Sequence, residues 1–344
     1  MAVVPAFTSG RLDIMGDDGP NTVLISSADL GGVPHVTVNG LQVGPGVKAS
    51  DVTSIFAALG GGPDTMDLST LDLVTFSGLT DRSITMNGGA GQDKLIGTSL
   101  ADVLIGGPGS DDLRGLGGAD EIDGGAGADA LYGGDGDDLI YGRGGLDVIF
   151  GGNGDDDLRG GPDSDRLFGE GGKDALRGQD GDDFLYGGDG NDRLFGNDGS
   201  DLLAGGAEND AYVYPEPDDT GLDTIDEAPD EGRDRINVSQ LTLISPVNLA
   251  STDVQQLMAN QSLRLVNPAT VEKIVTGNTI RPSSEGVYTV PGGSGETTPV
   301  TFRYGGGNSR PSDSTGLVVY EVDANGYPLN TLYGPDDPLF DPLV

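Results

Sequence analysis

The chain has 344 residues and a formal net charge of −38, because 18 lysines and arginines stand against 56 aspartates and glutamates. A chain this acidic is a poor partner for nucleic acid or for an anionic membrane surface. The absence of cysteine excludes disulfides, iron–sulfur clusters and thiolate zinc sites, and a single histidine, His35, excludes any multi-histidine metal site.

Residues 1–87 predict a degenerate β-helical region. Alternating apolar and polar residues at 35–38 and 71–76 predict strands. Two segments, 19–23 and 62–66, share the pattern Gly-Pro-Asn/Asp-Thr-apolar and are degenerate echoes of the unit that follows. The start of the chain has no basic stretch before an apolar core, so no cleavable signal peptide is predicted. No apolar run approaches the 18 or more residues of a membrane span, so we expect no transmembrane segment.

Residues 88–213 consist of fourteen consecutive nine-residue units with Gly at position 1, Asp at position 6 and an apolar residue at position 8. Glycines at positions 1, 2 and 4 permit a tight turn, and the last three residues predict a short strand with one inward side chain. Two units then make one turn of a flattened coil, so loops on the same edge lie 18 residues apart in the chain. Their strands stack at about 4.8 Å. The coil arranges the position-6 aspartates in two ladders of seven: Asp93, Asp111, Asp129, Asp147, Asp165, Asp183 and Asp201 on one edge, and Asp102, Asp120, Asp138, Asp156, Asp174, Asp192 and Asp210 on the other.

A carboxylate repeated at a fixed period beside glycines is typical of a repeated site for a hard cation, and Ca²⁺ takes six to eight oxygen ligands. One loop cannot supply that many, so neighbouring loops must share each ion. Seven loops leave six gaps on each edge, which allows at most 12 bridging sites. The region carries 28 acidic and 8 basic residues, and stacked carboxylates repel one another without counter-cations. We therefore expect a chain that is disordered at cytosolic calcium and folded at millimolar extracellular calcium.

The repeat pattern resembles the RTX (repeats-in-toxin, hemolysin-type calcium-binding) nonapeptide family over 126 of the 344 residues. The resemblance implies an all-β fold, a parallel β-roll or β-helix solenoid. It also implies that each Ca²⁺ takes carbonyls from positions 2 and 4 and the Asp of one loop. The next loop on that edge would add carbonyls from positions 1 and 3 and its own Asp. Besides the fourteen aspartates, the implied ligand-bearing residues are Gly107, Gly109, Gly125, Gly127, Gly134, Gly136, Gly152, Gly154, Gly188 and Gly190.

Some loops depart from the pattern. The loop 97–102 lacks glycine at positions 2 and 4, and Asp163 and Glu208 replace the position-4 glycine. Position 2 carries a larger residue in five loops: Leu116, Arg143, Glu170, Gln179 and Asn197. Carbonyl ligation requires the backbone to keep its turn, which is easier for Asn than for Leu. We therefore expect the best sites around Asp129, Asp138, Asp147, Asp156, Asp183 and Asp192.

After the repeats, the core pattern Gly-x-Asp-x-apolar recurs at 221–225 and 232–236, which predicts degenerate capping coils over 214–244. Atypical terminal units of this kind protect the open edge of a sheet. Residues 245–344 predict a C-terminal β-rich region in which only 252–265 favours a helix. The final residues, 337–344, are acidic and then apolar, and resemble the tail of some RTX exports, so they are a candidate type I secretion signal.

Catalytic patterns are scarce. His35 lies in a strand-like run, and neither a Gly-x-Ser-x-Gly elbow nor a phosphate-binding loop is present. The sequence thus predicts a secreted bacterial calcium-binding protein, extracellular or on the cell surface, that is not an enzyme in this chain. The alternative is the non-catalytic or substrate-binding part of a secreted polysaccharide-active or hydrolytic enzyme. A pore-forming toxin fragment would need a long apolar segment, which this chain lacks.

One further pattern concerns position 9, where aromatic residues recur at 18-residue steps: Tyr132, Phe150, Phe168 and Tyr186. This spacing predicts a ladder of rings along one face of the coil. Such a ladder either stabilises neighbouring strands or binds a partner, a polysaccharide or a surface protein.

Overall fold

The computed structural model describes residues 3–29, 33–44, 47–214, 223–226 and 234–238, and farther on the strands 255–256, 263–266, 271–276, 287–290, 300–303, 319–322 and 328–333. Most of these residues form a parallel β-solenoid, and the only helix among them is a short 3-10 turn, Ala49–Asp51. The strands 287–290 and 300–303 form one separate antiparallel pair, and 319–322 and 328–333 form another. In the part of the chain that the structure describes, no helix is long and apolar enough to cross a membrane.

Nine strands precede the repeats. They are β1 (Val4–Thr8), β2 (Arg11–Met15), β3 (Thr22–Val23), β4 (Ile25–Asp29), β5 (Pro34–Val38), β6 (Leu41–Gln42), β7 (Ser54–Ala58), β8 (Thr65–Asp67) and β9 (Ile84–Asn87). Strands β4, β5 and β6 form a small antiparallel sheet of their own, while the others belong to two long sheets.

Each repeat unit contributes one strand. They are β10 (Lys94–Ile96), β11 (Asp102–Pro108), β12 (Asp112–Gly117), β13 (Glu121–Ala126), β14 (Ala130–Asp135), β15 (Leu139–Gly144), β16 (Val148–Asn153), β17 (Asp157–Pro162), β18 (Arg166–Gly171), β19 (Ala175–Asp180), β20 (Phe184–Asp189), β21 (Arg193–Asp198), β22 (Leu202–Ala207) and β23 (Ala211–Val213).

The later strands are β24 (Asp223–Asp226), β25 (Asp234–Val238), β26 (Gln255–Gln256), β27 (Leu263–Val266), β28 (Val271–Thr276), β29 (Val287–Val290), β30 (Val300–Arg303), β31 (Val319–Val322) and β32 (Pro328–Tyr333). Strands β24 and β25 fall in the segments that the recurring Gly-x-Asp-x-apolar pattern picks out, and each extends one of the long sheets.

Successive repeat strands alternate between the two long sheets. One sheet has thirteen strands in the order β1-β2-β7-β9, then the odd-numbered strands from β11 to β25, then β28. The other has twelve, in the order β3-β8, then the even-numbered strands from β10 to β24, then β27-β26. Parallel partners within the repeats are 18 residues apart, as in Leu131 beside Ile149. The predicted all-β solenoid, with two units in each turn, is confirmed.

The core of the repeat region is one column of side chains from each sheet. All fourteen position-8 residues, from Leu95 to Tyr212, are fully buried, and the columns continue into Ile225 and Ile236. The hydroxyl of Tyr212, the one polar member, accepts a hydrogen bond from the backbone N–H of Gly205 at 2.6 Å. Each nine-residue unit therefore places one large apolar side chain in the core.

Two local predictions are wrong. Residues 71–76 form a turn, because the carboxylate of Asp72 accepts hydrogen bonds from the backbone of Val74 and the hydroxyl of Thr75. Such local side-chain bonds compete with strand pairing, and they leave Leu71 and Phe76 free to pack into the core. The helix expected over 252–265 is also wrong where the structure describes it. There β26 pairs antiparallel with β27, and β27 pairs parallel with β24.

Candidate metal centre

The position-6 aspartates form the two predicted ladders. All fourteen side chains are at most 3% exposed. In each of the twelve pairs along the two edges, the backbone N–H of one Asp donates to Oδ1 of the Asp 18 residues later, at 2.7 or 2.8 Å. The first rung of one edge joins Asp93 to Asp111. One carboxylate oxygen of each later Asp is thus used to hold the loops in register.

The second carboxylate oxygen has no such partner. In thirteen of the fourteen aspartates, Oδ2 is buried and lacks a hydrogen-bond donor among the described residues. A buried carboxylate oxygen without a donor or a cation costs several kcal/mol. The regular placement of these atoms along both edges points to positive charge bound between the loops.

The loop backbone adds more oxygens to the same gaps. A Cβ added at Gly107 would overlap the carbonyl oxygen of Gly89, and one at Gly109 would overlap that of Gly91. The carbonyls of positions 2 and 4 therefore point into the gap before the next loop. A Cβ at Gly106 would meet both Oδ2 of its own loop's Asp111 and, at 2.5 Å, the carbonyl oxygen of Gly124 in the next loop. Carboxylate and carbonyl oxygens from two loops thus surround each gap.

The other glycines singled out from the sequence have the same placement. For each of them an added Cβ would overlap a carbonyl oxygen of the preceding loop on that edge. The set comprises Gly125, Gly127, Gly134, Gly136, Gly152, Gly154, Gly188 and Gly190. Among the described residues, no group of three or more His, Cys, Asp or Glu side chains is placed to hold a metal ion by side chains alone. Backbone carbonyls must therefore supply much of the ligand set, as a hard cation allows.

Comparison with known families agrees with this geometry. The family model of the RTX calcium-binding nonapeptide repeat matches six overlapping segments that together cover residues 87–212. Residues 87–212 are RTX calcium-binding repeats. Their implied ligand is Ca²⁺. A comparison with curated proteins finds no match to this chain.

The substituted loops of the RTX array keep the turn. Outside the loop 97–102, the seven non-glycine residues at positions 2 and 4 have φ between 69° and 85°, in the left-handed region. They are Leu116, Arg143, Asp163, Glu170, Gln179, Asn197 and Glu208. A left-handed L-residue costs roughly 1–2 kcal/mol, so these loops carry strain while keeping their carbonyls in place. The backbone conformation therefore does not separate the six sites that the sequence favours from the sites in the substituted loops. The preference for those six sites stays a prediction.

The loop 97–102 of the RTX array is built differently. The backbone N–H and the hydroxyl of Thr98 both donate to Oδ2 of Asp102, at 2.6 and 3.0 Å. The backbone N–H of Leu100 donates to the Thr98 hydroxyl at 3.0 Å, and neither residue has positive φ. The carboxylate oxygen that lacks a donor in the other loops is here satisfied within its own loop, and Oδ1 of Asp102 is instead the buried oxygen without a donor among the described residues. This is the loop whose departure from the pattern the sequence shows most strongly.

Burial also changes the acidity of the ladders. Loss of solvation raises the pKa of all fourteen carboxyls above the ordinary 3.8, although the rung hydrogen bonds oppose the shift. The pKa is raised to about 8 for Asp120, Asp183 and Asp210, to about 7 for Asp111, Asp138, Asp147, Asp165 and Asp174, and to about 6 for Asp102, Asp156, Asp192 and Asp201. A cation in the gaps would compete with these protons.

The ladders extend beyond the RTX array at both ends. The backbone N–H of Asp64 donates to Asp93 at 2.8 Å. At the other end, Asp201 donates to Oδ1 of Asp223 and Asp210 to Oδ1 of Asp234, each at 3.0 Å. From the sequence, Asp64, Asp223 and Asp234 are predicted to lie in degenerate coils and are not among the predicted site residues. The signal for them was the Asp-Thr-apolar or Asp-Arg-apolar core that each segment keeps.

The aromatic ladder lies on the outer face of the twelve-stranded sheet. The rings of Tyr132 and Phe150 stack with centroids 5.1 Å apart, and those of Phe150 and Phe168 with centroids 4.9 Å apart. Phe168 then packs at a tilt on Phe184, 5.6 Å away, while Tyr186 is 41% exposed. Three of the four expected rings therefore form a regular stack, which stabilises neighbouring strands.

Proposed function

We propose that this chain is a secreted calcium-binding repeat protein, extracellular or on a bacterial surface, whose β-roll folds when it binds Ca²⁺ outside the cell. The observation that carries the proposal is the set of thirteen buried Asp Oδ2 atoms, which lack donors among the described residues and lie in carbonyl-lined gaps. The RTX repeats are a structural calcium-binding element, and we propose that the chain as a whole is likewise non-enzymatic.

The proposed ligands are the fourteen position-6 aspartates and the carbonyls of the flanking loop positions, with up to 12 bridging ions in the repeats. In each gap we assign to the same ion the carbonyls of positions 2 and 4 and the Asp of one loop, together with the carbonyls of positions 1 and 3 and the Asp of the next. Asp102 is the weakest candidate, because Thr98 already satisfies its Oδ2.

Calcium at these sites would act as a folding switch. An ion bound only by the folded form adds about 1.4 kcal/mol at ten times its Kd, so a dozen sites contribute on the order of 15 kcal/mol. Domain stabilities are themselves about 5–15 kcal/mol. The ions would therefore decide whether the array is folded, and a low-calcium cytosol would keep it unfolded until export.

We propose the following division of the chain: a degenerate β-helical region over 1–87, the RTX β-roll over 88–213, capping coils over 214–244 and a β-rich region over 245–344. The two long sheets run without a break across 87/88 and 213/214 and continue to β27 and β28, so the first two boundaries are changes of sequence pattern within one solenoid. The candidate type I secretion signal at 337–344 lies outside the described residues.

A polysaccharide or a surface protein remains the proposed partner class, and the substrate-binding half of a polysaccharide-active enzyme the alternative function. Support comes from the position-9 rings on the outer face of the twelve-stranded sheet, of which Tyr186 lies beyond the stack and is well exposed. Replacing these rings by serine should abolish partner binding if the ladder recognises a partner. Unchanged binding with weaker folding would leave the rings a purely structural role.

The experiment that tests the main proposal is far-UV circular dichroism of the whole chain during titration with CaCl₂, with MgCl₂ as control. We expect a cooperative gain of β-structure with calcium alone, reversed by a chelator. A chain already rich in β-structure in chelator and indifferent to calcium would contradict the proposal.

A further inference from the structure

In two loops that precede the RTX array, the backbone follows the same path as in the calcium loops. These are 16–21 and 59–64, which place Asn21 and Asp64 at the equivalent of position 6. The backbone N–H of Asn21 donates to Oδ1 of Asp64 at 2.6 Å, and that of Asp64 donates to Asp93 at 2.8 Å. Strand β3 pairs with β8, and β8 with β10, all parallel. The two residues are therefore the first rungs of the ladder that continues through the repeats.

Asn21 stands where every later rung of this edge carries an Asp. Its side chain is 3% exposed. A Cβ added at Gly16 would lie 2.8 Å from Asn21 Nδ2, just as one at Gly106 would meet Oδ2 of Asp111. The amide nitrogen thus occupies the place of the carboxylate oxygen that lacks a donor in the calcium loops.

The surroundings of this nitrogen are the oxygens that the other gaps offer to an ion. They lie at 2.7 Å for the carbonyl of Gly19, 3.0 Å for the carbonyl of Leu59, 3.1 Å for Oδ1 of Asp64 and 3.2 Å for the carbonyl of Asp17. In repeat terms these are positions 2 and 4 of one loop, and position 1 and the aspartate of the next. An NH₂ group has two hydrogens, so it donates to two of these four oxygens at a time and places partial positive charge among all of them.

The next gap, between loops 59–64 and 88–93, has the features of a calcium gap. Oδ2 of Asp64 is buried and has no donor among the described residues, and the side chain is 1% exposed. Gly60 and Gly62 have φ of 101° and 89°. A Cβ at Gly89 would overlap the carbonyl oxygen of Gly60, and one at Gly91 that of Gly62. The same carbonyl cradle is therefore present outside the residues that match the RTX family model.

We propose that Asn21 closes the first gap of this ladder without metal, and that the first Ca²⁺ of this edge binds in the following gap through Asp64, before the recognisable repeats begin. The inference deepens the proposed function and rests on it. The amide gives the solenoid an end rung that forms without calcium, so that the first ion meets loops already held in register.

The test counts bound ions in the whole chain by native mass spectrometry at saturating calcium. Asn21→Asp restores a carboxylate in the first gap, so this variant should bind one ion more than the wild type. Asp64→Asn moves the amide cap one gap along, so it should bind one ion fewer. Asn87→Asp makes the same charge change at a partly exposed position of β9 and should bind the wild-type number.

Thermal unfolding adds a second readout. In chelator, Asn21→Asp should melt at a lower temperature than the wild type, because it adds a buried carboxylate to a gap with no ion. Saturating calcium should restore the melting temperature. Failure of Asn21→Asp to fold in saturating calcium would overturn the cap assignment, since an ion should then replace the amide.

The count separates the two levels of the proposal. A wild-type chain that binds calcium, together with an Asn21→Asp variant that binds the same number, would overturn the metal-free cap and leave the proposed function standing. An unchanged count for Asp64→Asn would overturn the site at Asp64. A wild-type chain that binds no calcium would overturn the proposed function and this inference with it.

Discussion

The N-terminal region and the RTX array share two continuous sheets but differ in what stabilises them. A turn of the array buries two large apolar side chains, such as Leu158 and Leu167, and two carboxylates. The region before it buries several apolar residues in each turn. The segment between β8 and β9 adds the buried side chains of Phe76 and Leu79. Burying each large apolar side chain contributes about 1.5–3 kcal/mol. A solenoid with a thin core thus needs ions, and one with a thicker core can rely on apolar packing.

Removal of calcium should produce the largest difference between the two regions. In chelator, the backbone amides of 88–213 should lose their protection from hydrogen exchange, because the carboxylate ladders then repel without counter-ions. The amides of 3–29 and 47–87 should keep most of theirs. Hydrogen exchange with mass spectrometry checks this region by region, with magnesium addition as the control. Equal loss of protection in both regions would contradict the comparison.

Acidity should produce the next largest effect. In the absence of calcium, the folded array holds protons on carboxyls whose pKa is raised from 3.8 to about 6–8, so folding is favoured at low pH. This contribution is fully present below about pH 4 and is lost as the pH rises through 6 to 8. Far-UV circular dichroism of the calcium-free chain should therefore show more β-structure at pH 5 than at pH 8.

Calcium should reverse that pH dependence. Its ligands must be deprotonated, so the calcium concentration at half-folding should fall as the pH rises from 5 to 8. A calcium-free array that becomes more stable with rising pH would contradict the burial of the carboxyls as the source of the shift.

Within the array, single substitutions should distinguish position 6 from position 4. Asp147→Asn removes one charge between two gaps, and should raise the calcium concentration at half-folding by about three- to tenfold, on the order of 1 kcal/mol. The matched control is Asp163→Asn, an exposed position-4 residue with φ of 80° that Asn also tolerates. Circular dichroism during calcium titration measures both. Equal effects would mean that position 6 has no special role.

The smallest expected effect tests the strained loops. Leu116 has φ of 82°, so Leu116→Gly should relieve strain and stabilise the calcium-bound chain by about 1 kcal/mol. Gly134→Ala, at the equivalent position of the next loop on that edge, should destabilise it, because the added Cβ would overlap the carbonyl oxygen of Leu116. Thermal unfolding in calcium compares the two. A destabilised Leu116→Gly would show that the Leu side chain contributes more than its backbone costs.

Much of the fold follows from local pattern. The nine-residue period predicts the two-unit turn, the 18-residue register and both ladders, because one inward residue per strand and one Asp per loop leave a single way to stack the units. The segment 71–76 shows where pattern fails. Its alternation suits a strand, but Asp72 bonds to the backbone and hydroxyl groups just after it and closes a turn.

The loops with non-glycine residues show a different limit. From the sequence, Leu116 in place of glycine leaves the turn in doubt, because isolated residues disfavour positive φ. The structure keeps the turn, since the rungs on both sides hold the loop at its 18-residue register. Neighbouring coils override the local preference, and that influence is not readable from a single unit.

The period, the inward column and the identity of the repeated carboxylates can be read from the sequence, since these depend on spacing along the chain. The closure of the first gap on the edge that begins with Asn21 depends on the stacked coils. Asn21 meets the carbonyl of Leu59 and the carboxylate of Asp64 across 38 and 43 residues of chain, so its amide finds these oxygens only once the coils have stacked.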